Sequence, residues 1–215
     1  LHTDLNQLNE IMTFSGESIG NSIDKFYQTI NGIADNPSDL GLRSIALSQA
    51  GILASDFNTL NENIDQLESS ANGEIAQTAN QITRISTELA KINEQVLFGD
   101  ALSNAGQAND LLDRRDQLIT ELGEYTSVNT VTDKNGVMTV MIGSGNTLVA
   151  GITPLSVEVV AGDPDPNLTG IELVGPNSRI ALNGDTLGGS LAAKFEYRNE
   201  HLAELRSEIN RLADR

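Results

Sequence analysis

Apolar residues recur every three or four positions over most of residues 1–125 and again over residues 187–215. This spacing places apolar side chains on one face of a helix and predicts α-helices in both regions. Residues 126–186 are richer in Val, Thr, Gly and Asn, and their alternation predicts short β-strands. The pattern therefore predicts a multidomain α+β protein: an elongated helical bundle of residues 1–125 and 187–215, with a small all-β domain of residues 126–186 inserted into it.

The longest helical pattern begins after Asn36-Pro37, where Ser38 or Asp39 can cap the first turn, and continues to Phe98, before Gly99-Asp100. At about 1.5 Å per residue it would form a rod about 90 Å long. Its apolar residues alternate four and three apart, as in a coiled coil, with one additional four-residue step after Ala71. The final helix carries a similar pattern. Together these residues form a predicted structural seam: Leu53, Phe57, Leu60, Ile64, Leu67, Ile75, Ile82, Ile85, Leu89, Ile92, Leu191, Phe195, Leu202, Leu205 and Ile209.

Three shorter features complete the helical prediction. The first helical segment should be interrupted near Ser15-Gly16, and a later helix should begin with Asn109 or Asp110 as its cap. Arg198 is the one polar residue in the final seam. We expect its stem to lie over apolar neighbours while its guanidinium reaches solvent.

The segment Asp133-Lys134-Asn135-Gly136 predicts a β-hairpin with a type I′ turn, because Asn-Gly tolerates the positive φ that this turn requires. Several short strands with turn residues between them favour a small sandwich or barrel-like domain. We expect its stability to lean on the helices, and the helices to keep most of their structure without it. Strands are predicted at 128–132, 137–142, 147–150, 155–160, 171–174 and 179–182.

Composition excludes several classes of function. The 215 residues include 30 acidic and 13 basic ones, giving a formal charge of −17, so binding to nucleic acid or an anionic membrane surface is disfavoured. The absence of Cys excludes disulfides, zinc-thiolate sites and thiol nucleophiles. No apolar run resembles a membrane helix or a signal peptide, and the first residue is Leu1 rather than Met. We therefore expect an excised fragment of a longer protein.

No catalytic motif emerges from the sequence, so we expect neither an enzyme nor a cofactor. The best metal candidate is the loop with Asp163, Asp165 and Asn167, whose oxygens suit Ca²⁺. Two prolines interrupt it and its glycine is out of place, so a solvated loop is the favoured interpretation. Acidic residues around Arg114 and Arg115 are explained by local salt bridges.

The segment Asn-Asp-Leu-Leu-Asp-Arg-Arg-Asp-Gln-Leu at residues 109–118 resembles a signature of the bacterial flagellar hook-associated protein 1 family, the hook-filament junction proteins. Further similar stretches occur in the expected order at 34–39, 75–93, 188–191 and 195–198. Arg114 stands where that family commonly has Gln. The motif residues are Asn109, Asp110, Leu111, Leu112, Asp113, Arg115 and Asp116.

The resemblance implies a structural protein that joins the flagellar hook to the filament, with an elongated helical domain and an outward-facing β domain. It implies export by the flagellar type III route, an extracellular position, and a fragment that lacks the terminal coiled-coil helices. The implied partners are the hook protein, the second junction protein, further copies around the flagellar axis and a cytoplasmic export chaperone.

Three other interpretations stay open at this point. A flagellin-like protein or the second junction protein would also combine helices with a β insertion. An unrelated extracellular coiled-coil adhesin module would explain the seam alone. An enzyme using a metal at Asp163 and Asp165 is the third.

Overall fold

The computed structural model describes residues 1–98, 105–162 and 165–213. Helices α1 (His2–Asp35), α2 (Leu40–Phe98) and α3 (Ala105–Tyr125) come first, and α4 (Gly189–Glu196), a π-helical segment (Tyr197–Leu202) and α5 (Ala203–Ala213) come last. The predicted fold class, helices with an inserted antiparallel β region, is confirmed. The strands between α3 and α4 are β1 (Val128–Thr132), β2 (Met138–Ile142), β3 (Asn146–Ala150), β4 (Thr153–Pro154), β5 (Ser156–Ala161), β6 (Thr169–Gly175) and β7 (Ser178–Leu182).

The chain divides into two compact units. The first contains Leu1–Ser69 and Glu200–Arg215, and the second contains Ser70–Asn199. These boundaries differ from those of the predicted domains, because the strands do not have a core of their own. Within the second unit, β-strand residues such as Val140 and Leu148 share one hydrophobic core with Ile82 of α2 and Leu118 of α3.

The first unit is built from α1, the first half of α2, and α5. Its core contains Ile19, Leu60, Ile64 and Leu205, with half-buried apolar side chains around them. Helix α1 continues through Ser15-Gly16, so the predicted interruption there is wrong. One glycine costs a helix only about 1 kcal/mol, and the buried neighbours Ser15 and Ile19 hold this segment against the core.

The turn between α1 and α2 follows the prediction. Helix α1 ends at Asp35, and the Oδ1 atom of Asp39 accepts hydrogen bonds from the backbone N–H groups of Gly41 at 2.7 Å and Leu42 at 3.2 Å. Asp39 therefore caps α2, as one of the two predicted candidates. Helix α2 ends at Phe98, while the Gly99-Asp100 stop lies outside the described residues.

Helix α3 begins earlier than predicted. Asn109 and Asp110 lie within the helix, which starts at Ala105, so neither residue is its N-terminal cap. The prediction failed because Asn and Asp often cap helices, but both residues are also tolerated inside a helix when their side chains are exposed, as they are here.

The strands form two antiparallel sheets, ordered β1-β2-β3-β4 and β5-β6-β7. The predicted hairpin at Asp133–Gly136 is present, but its turn is not type I′, because Asn135 does not adopt positive φ. Only Gly136 does, at 82°, after a turn closed by its N–H donating to the Asp133 carbonyl. Asp133 also accepts N–H bonds from Asn135 and Val137 through Oδ1. This is a three-residue loop ending in a left-handed glycine.

Two glycines let the chain enter α4 next to the end of α3. Gly188 and Gly189 both have positive φ, and a Cβ atom on Gly189 would lie 2.6 Å from the backbone N of Thr126. Just before them, the carbonyl of Leu187 accepts hydrogen bonds from Thr126 Oγ1 and from the backbone N–H of Ser127, both at 2.7 Å. The Gly188-Gly189 pair is thus a chain reversal, and it fixes α4 against the start of β1.

Candidate assembly surfaces

The seam residues lie in the interior of the two units. Leu53, Phe57 and Ile209 are half-buried, and the remaining seam side chains are buried. They therefore hold α2, α4 and α5 to the rest of their own units and are not free to pair with a partner. The buried members are Leu60, Ile64, Leu67, Ile75, Ile82, Ile85, Leu89, Ile92, Leu191, Phe195, Leu202 and Leu205.

A surface suited to contacts with other proteins lies instead on the helical hairpin formed by the end of α1 and the start of α2. Large apolar side chains are exposed there, including Leu40 and Leu47 with more than three quarters of their surface free. Within residues 26–55, only Asp35, Asp39 and Arg43 are charged. We use the name hairpin surface for these exposed apolar residues as a set, which lie on more than one face of the hairpin: Tyr27, Ile30, Leu40, Ile45, Leu47 and Ile52.

A groove runs along this hairpin between α1 and α2, and we call it the hairpin groove. Lys25, Gln28, Thr29 and Gly32 line it from α1, and Leu42, Ile45 and Gln49 line it from α2. The Oε1 atom of Gln49 is buried and has no hydrogen-bond partner among the described residues. Sequence reasoning missed both features, although the absence of any charged residue over residues 44–55 was a visible signal.

Some motif residues of α3 pack within the second unit, and the others are exposed. Arg115 is buried and donates a hydrogen bond through Nη1 to the carbonyl of Gly136 at 3.0 Å, so it holds the β1–β2 turn against α3. Leu111 packs against the core of the second unit, and Leu112 is partly exposed. The polar members, Asn109, Asp110, Asp113 and Asp116, are exposed.

Salt bridges join α3 to α2, whereas the sequence suggested local pairing within α3. Glu88 of α2 accepts from Arg84 at 2.7 Å and from Arg114 of α3 at 2.9 Å, and Arg84 also pairs with Glu121. The hydrogen bond from Arg84, reinforced by that from Arg114, lowers the pKa of Glu88. The hydrogen bond to Glu88 is likewise the main reason that the pKa of Arg84 is raised. This cluster fixes one side of α3.

Polar residues on α2 also bind the backbone of the strands. Asn93 is buried and bonds the carbonyls of Met138 and Gly151 through Nδ2, each at 2.7 Å, and accepts from the Met138 N–H at 3.0 Å. Ser86 donates to the Leu155 carbonyl, and Thr83 accepts from the Val157 N–H, both at 2.8 Å. These partners are backbone groups of the β region, and they lie next to α2 only in the folded chain. They could therefore not be predicted from the sequence.

Arg198 corrects another expectation. Its guanidinium does not reach solvent: the residue is 4% exposed, and Nη1 donates to Asn72 Oδ1 and to the carbonyl of Thr169, each at 2.7 Å. The guanidinium also lies 5.0 Å from the centre of the Phe195 ring. Because these partners replace water, a cation can be accommodated within the seam.

The metal candidates receive no support from the described geometry. Asp163 lies outside the described residues. Asp165 Oδ1 accepts the backbone N–H of Asn167 at 2.9 Å, which is an ordinary turn contact. In the part of the chain that the structure describes, no cluster of three or more His, Asp or Glu residues could hold a metal ion. Nor does any described helix have an apolar stretch long enough to cross a membrane.

Comparison with known proteins places these features in one context. Residues 5–215 match a family described as the flagellar hook-associated protein FlgK helical domain. The chain is 25% identical over 218 residues to flagellar hook-associated protein 1 of Salmonella typhimurium, and 23% identical over 214 residues to that of Escherichia coli K12. Both alignments cover 99% of the chain but only 39% of the relative, so the chain spans well under half the length of these relatives.

The fold agrees with that of a solved relative. The structure of the flagellar hook junction protein FlgK from Burkholderia pseudomallei superimposes with a TM-score of 0.81 at 27% sequence identity. The superposition covers 91% of this chain and 36% of that one.

Proposed function

The chain belongs to the family of the flagellar hook-associated protein FlgK helical domain, and from this membership we propose that it is part of a structural protein joining the flagellar hook to the filament. The match over residues 5–215 is the observation that carries the proposal. The relatives in Salmonella, Escherichia and Bacillus are all flagellar hook-associated protein 1, which supports this assignment over a flagellin, a second junction protein or an adhesin module.

We propose a mechanical role without catalysis. The relatives are flagellar hook-associated proteins, and a protein that joins two parts of the flagellum requires contact surfaces rather than reactive groups. Each unit offers such surfaces, and each unit has a hydrophobic core that supports them. The core of the second unit supports the exposed polar face of α3, and the first unit carries the uncharged apolar hairpin surface.

The proposed partners are the hook protein on one side, the second junction protein on the other, and further copies of the same protein around the flagellar axis. The proposed location is extracellular, at the end of the hook, after type III export assisted by a cytoplasmic chaperone. The absence of Cys is compatible with passage through a narrow channel as an unfolded chain, because no disulfide can form on the way.

Deletion of the gene in its own organism tests the proposed function. Cells should then build hooks without filaments and release filament subunits into the medium, which electron microscopy and immunoblotting of the supernatant would detect. The intact gene supplied on a plasmid should restore filaments. Normal filaments in the deletion strain would contradict the proposal, and so would cells that lack hooks as well.

A further inference from the structure

Four asparagines of this chain are followed directly by glycine: Asn31, Asn72, Asn135 and Asn183. Such a pair can react with itself, because glycine has no Cβ atom to keep its backbone N away from the side-chain amide of the asparagine. The peptide plane between the two residues must first rotate, so that this N can reach Cγ. The hydrogen bonds that hold each plane therefore decide which pair can react.

Two of the four peptide planes lie inside helices. Asn31 belongs to α1 and Asn72 to α2, where the N–H and the carbonyl of an interior peptide group are both bonded along the helix. Asn72 is held further, because its Oδ1 atom accepts from Arg198 Nη1 at 2.7 Å. Rotation of either plane breaks two helical hydrogen bonds at once.

The third plane, between Asn183 and Gly184, is held from both residues. The carbonyl of Asn183 accepts from the backbone N–H of Thr186 at 3.1 Å and from Thr186 Oγ1 at 2.9 Å. The side chain is engaged as well, since Oδ1 accepts from the backbone N–H of Asp185 at 3.1 Å. Gly184 is buried and packs so closely on Phe195 that a Cβ atom built on it would lie 2.2 Å from the ring.

The fourth plane, between Asn135 and Gly136, has a single hydrogen bond to the residues that the structure describes. The N–H of Gly136 donates to the Asp133 carbonyl at 3.1 Å, while the carbonyl and side chain of Asn135 contact no described hydrogen-bonding partner. Asn135 is exposed in the turn between β1 and β2. Gly136 already has a φ of 82°, and glycine tolerates the change of φ that rotation of this plane requires.

We propose that Asn135 is a site of spontaneous deamidation, and that in the folded protein it reacts before the other three Asn-Gly pairs. The backbone N of Gly136 attacks Cγ of Asn135 and forms a five-membered succinimide ring. The bond from Cγ to Nδ2 breaks, and the amino group leaves as ammonia with the proton from the Gly136 amide. Water then opens the ring at one of its two carbonyls, giving either aspartate or isoaspartate and a new carboxylate. This reaction is independent of the proposed function.

The isoaspartate product alters a turn that α3 holds in place. Its main chain runs through the former side chain and gains one methylene carbon before Gly136. The loop is closed by the N–H of Asp133, which donates to the Val137 carbonyl at 2.9 Å, and the Gly136 carbonyl accepts from buried Arg115 at 3.0 Å. A longer main chain strains both contacts, so isoaspartate should lower the melting temperature, whereas aspartate keeps the original chain length.

Incubation of the purified, folded chain in mildly alkaline buffer, followed by digestion and mass spectrometry, tests the proposal. Each Asn-Gly peptide reports its own conversion through the exchange of an amino group for a hydroxyl group, and an isoaspartyl methyltransferase identifies isoaspartate. Asn135 should be converted at least about tenfold faster than Asn31, Asn72 and Asn183, because those three must first open further hydrogen bonds. Mildly acidic buffer should slow the reaction, since the attacking N must lose its proton.

The unfolded chain is the control for the role of structure. In guanidinium chloride the four pairs should react at similar rates, because no hydrogen bond holds any of the peptide planes. Asn135→Gln should abolish conversion of that peptide in the folded chain and leave the other three unchanged, since glutamine does not readily close the ring.

A second control separates charge from chain length. Asn135→Asp carries the carboxylate of the products without the additional methylene, and it should melt at the wild-type temperature. The isoaspartate fraction of the aged protein, isolated by anion exchange, should melt at a lower temperature. If this fraction melted like Asn135→Asp, the effect on the turn would be wrong.

The proposed site is overturned if Asn31, Asn72 or Asn183 is converted as fast as Asn135 in the folded chain. It is also overturned if Asn135 stays intact in the folded chain while it reacts in the unfolded one. The same differences among the four rates in both states would contradict the inference as well, because the fold would then not select the site.

Discussion

Asn93 is the residue through which α2 holds the first sheet. Its side chain makes three hydrogen bonds to backbone groups of β2 and of the turn after β3, in a position that is 1% exposed. A buried amide in a helix normally destabilises it, so the position is tolerated only because every partner is present. Removing the amide leaves three backbone groups unpaired.

We expect Asn93→Ala to lower the free energy of unfolding by about 3 kcal/mol, since each unpaired buried group costs about 1 kcal/mol or more. Urea unfolding followed by circular dichroism measures the change. Asn80→Ala on the exposed side of the same helix is the control and should shift stability by less than about 0.5 kcal/mol. Equal midpoints for the two variants would show that the Asn93 contacts contribute nothing.

Glu88 makes stability depend on pH in a defined direction. Its pKa is lowered in the folded protein by the hydrogen bonds from Arg84 and Arg114, relative to an ordinary value of 4.5. The stabilisation is therefore fully present above the unfolded pKa and is lost as pH falls through the folded pKa. Because all three side chains are partly exposed, each pair contributes at most about 1 kcal/mol.

We accordingly expect Glu88→Gln to destabilise the protein by up to about 1 kcal/mol near pH 7 and to match the wild type once the pH lies below the folded pKa of Glu88. Urea unfolding over a pH series tests this. Glu94→Gln, at an exposed position of the same helix, should show no such convergence. A difference that persists unchanged into acid would mean that Glu88 acts through packing instead of charge.

At the scale of elements, the apolar pattern predicted most of the helices and strands. The seam in α2 was visible because its period is set by helix geometry, and Asp133–Gly136 was visible because hairpin loops demand turn residues. Asn109 is tolerated inside α3 because its side chain is exposed. The other two errors have a common cause: Ser15-Gly16 and Arg198 are held by tertiary contacts. Local preference could not predict them, because the deciding partners are distant in sequence.

The candidate surfaces were less predictable than the elements. Apolar residues such as Ile30 and Ile45 have the same spacing as buried seam residues, and no pattern says which part of a helix lacks a covering neighbour. Conversely, the role of Arg115 depends on the position of the Gly136 carbonyl, which only the folded hairpin provides. Exposure is a property of the fold and not of the helical period.

A charge placed in the seam should destabilise the protein in either half of α2. Leu60 lies in the core of the first unit and Ile85 in that of the second. Leu60→Asp and Ile85→Asp should each cost several kcal/mol, because each buries an unpaired carboxylate. Leu47→Asp, at a position that is 76% exposed, is the control and should leave the melting temperature nearly unchanged. Melting shifts of under about 2 °C for the two buried positions would refute the assignment of the seam.

At the scale of the whole molecule, the two units do not follow the boundary between helices and strands. The sequence suggested that the β region could be removed and the helices kept. The structure gives a physical reason against this, because Ile82, Ile85 and Leu89 of α2 pack in the same core as Val140 and Leu148 of the strands. Without the strands, these helix residues would face water, and Asn93 and Ser86 would lose their partners.

Replacing residues 126–186 with a short flexible linker should therefore unfold much more than the strands. We expect residues 70–98 and 105–125 to lose their protection, because burial of their apolar side chains, at about 25 cal/mol per Å², is what holds such a helix in place. Hydrogen exchange read segment by segment is the measurement. Residues 40–69 of the same helix, whose core contains Leu60, Ile64 and Leu205, serve as the internal control and should stay protected. If the helical residues on both sides of Ser69 stayed fully protected, the helices would fold independently of the sheets. The shared core would then form between elements that are already folded.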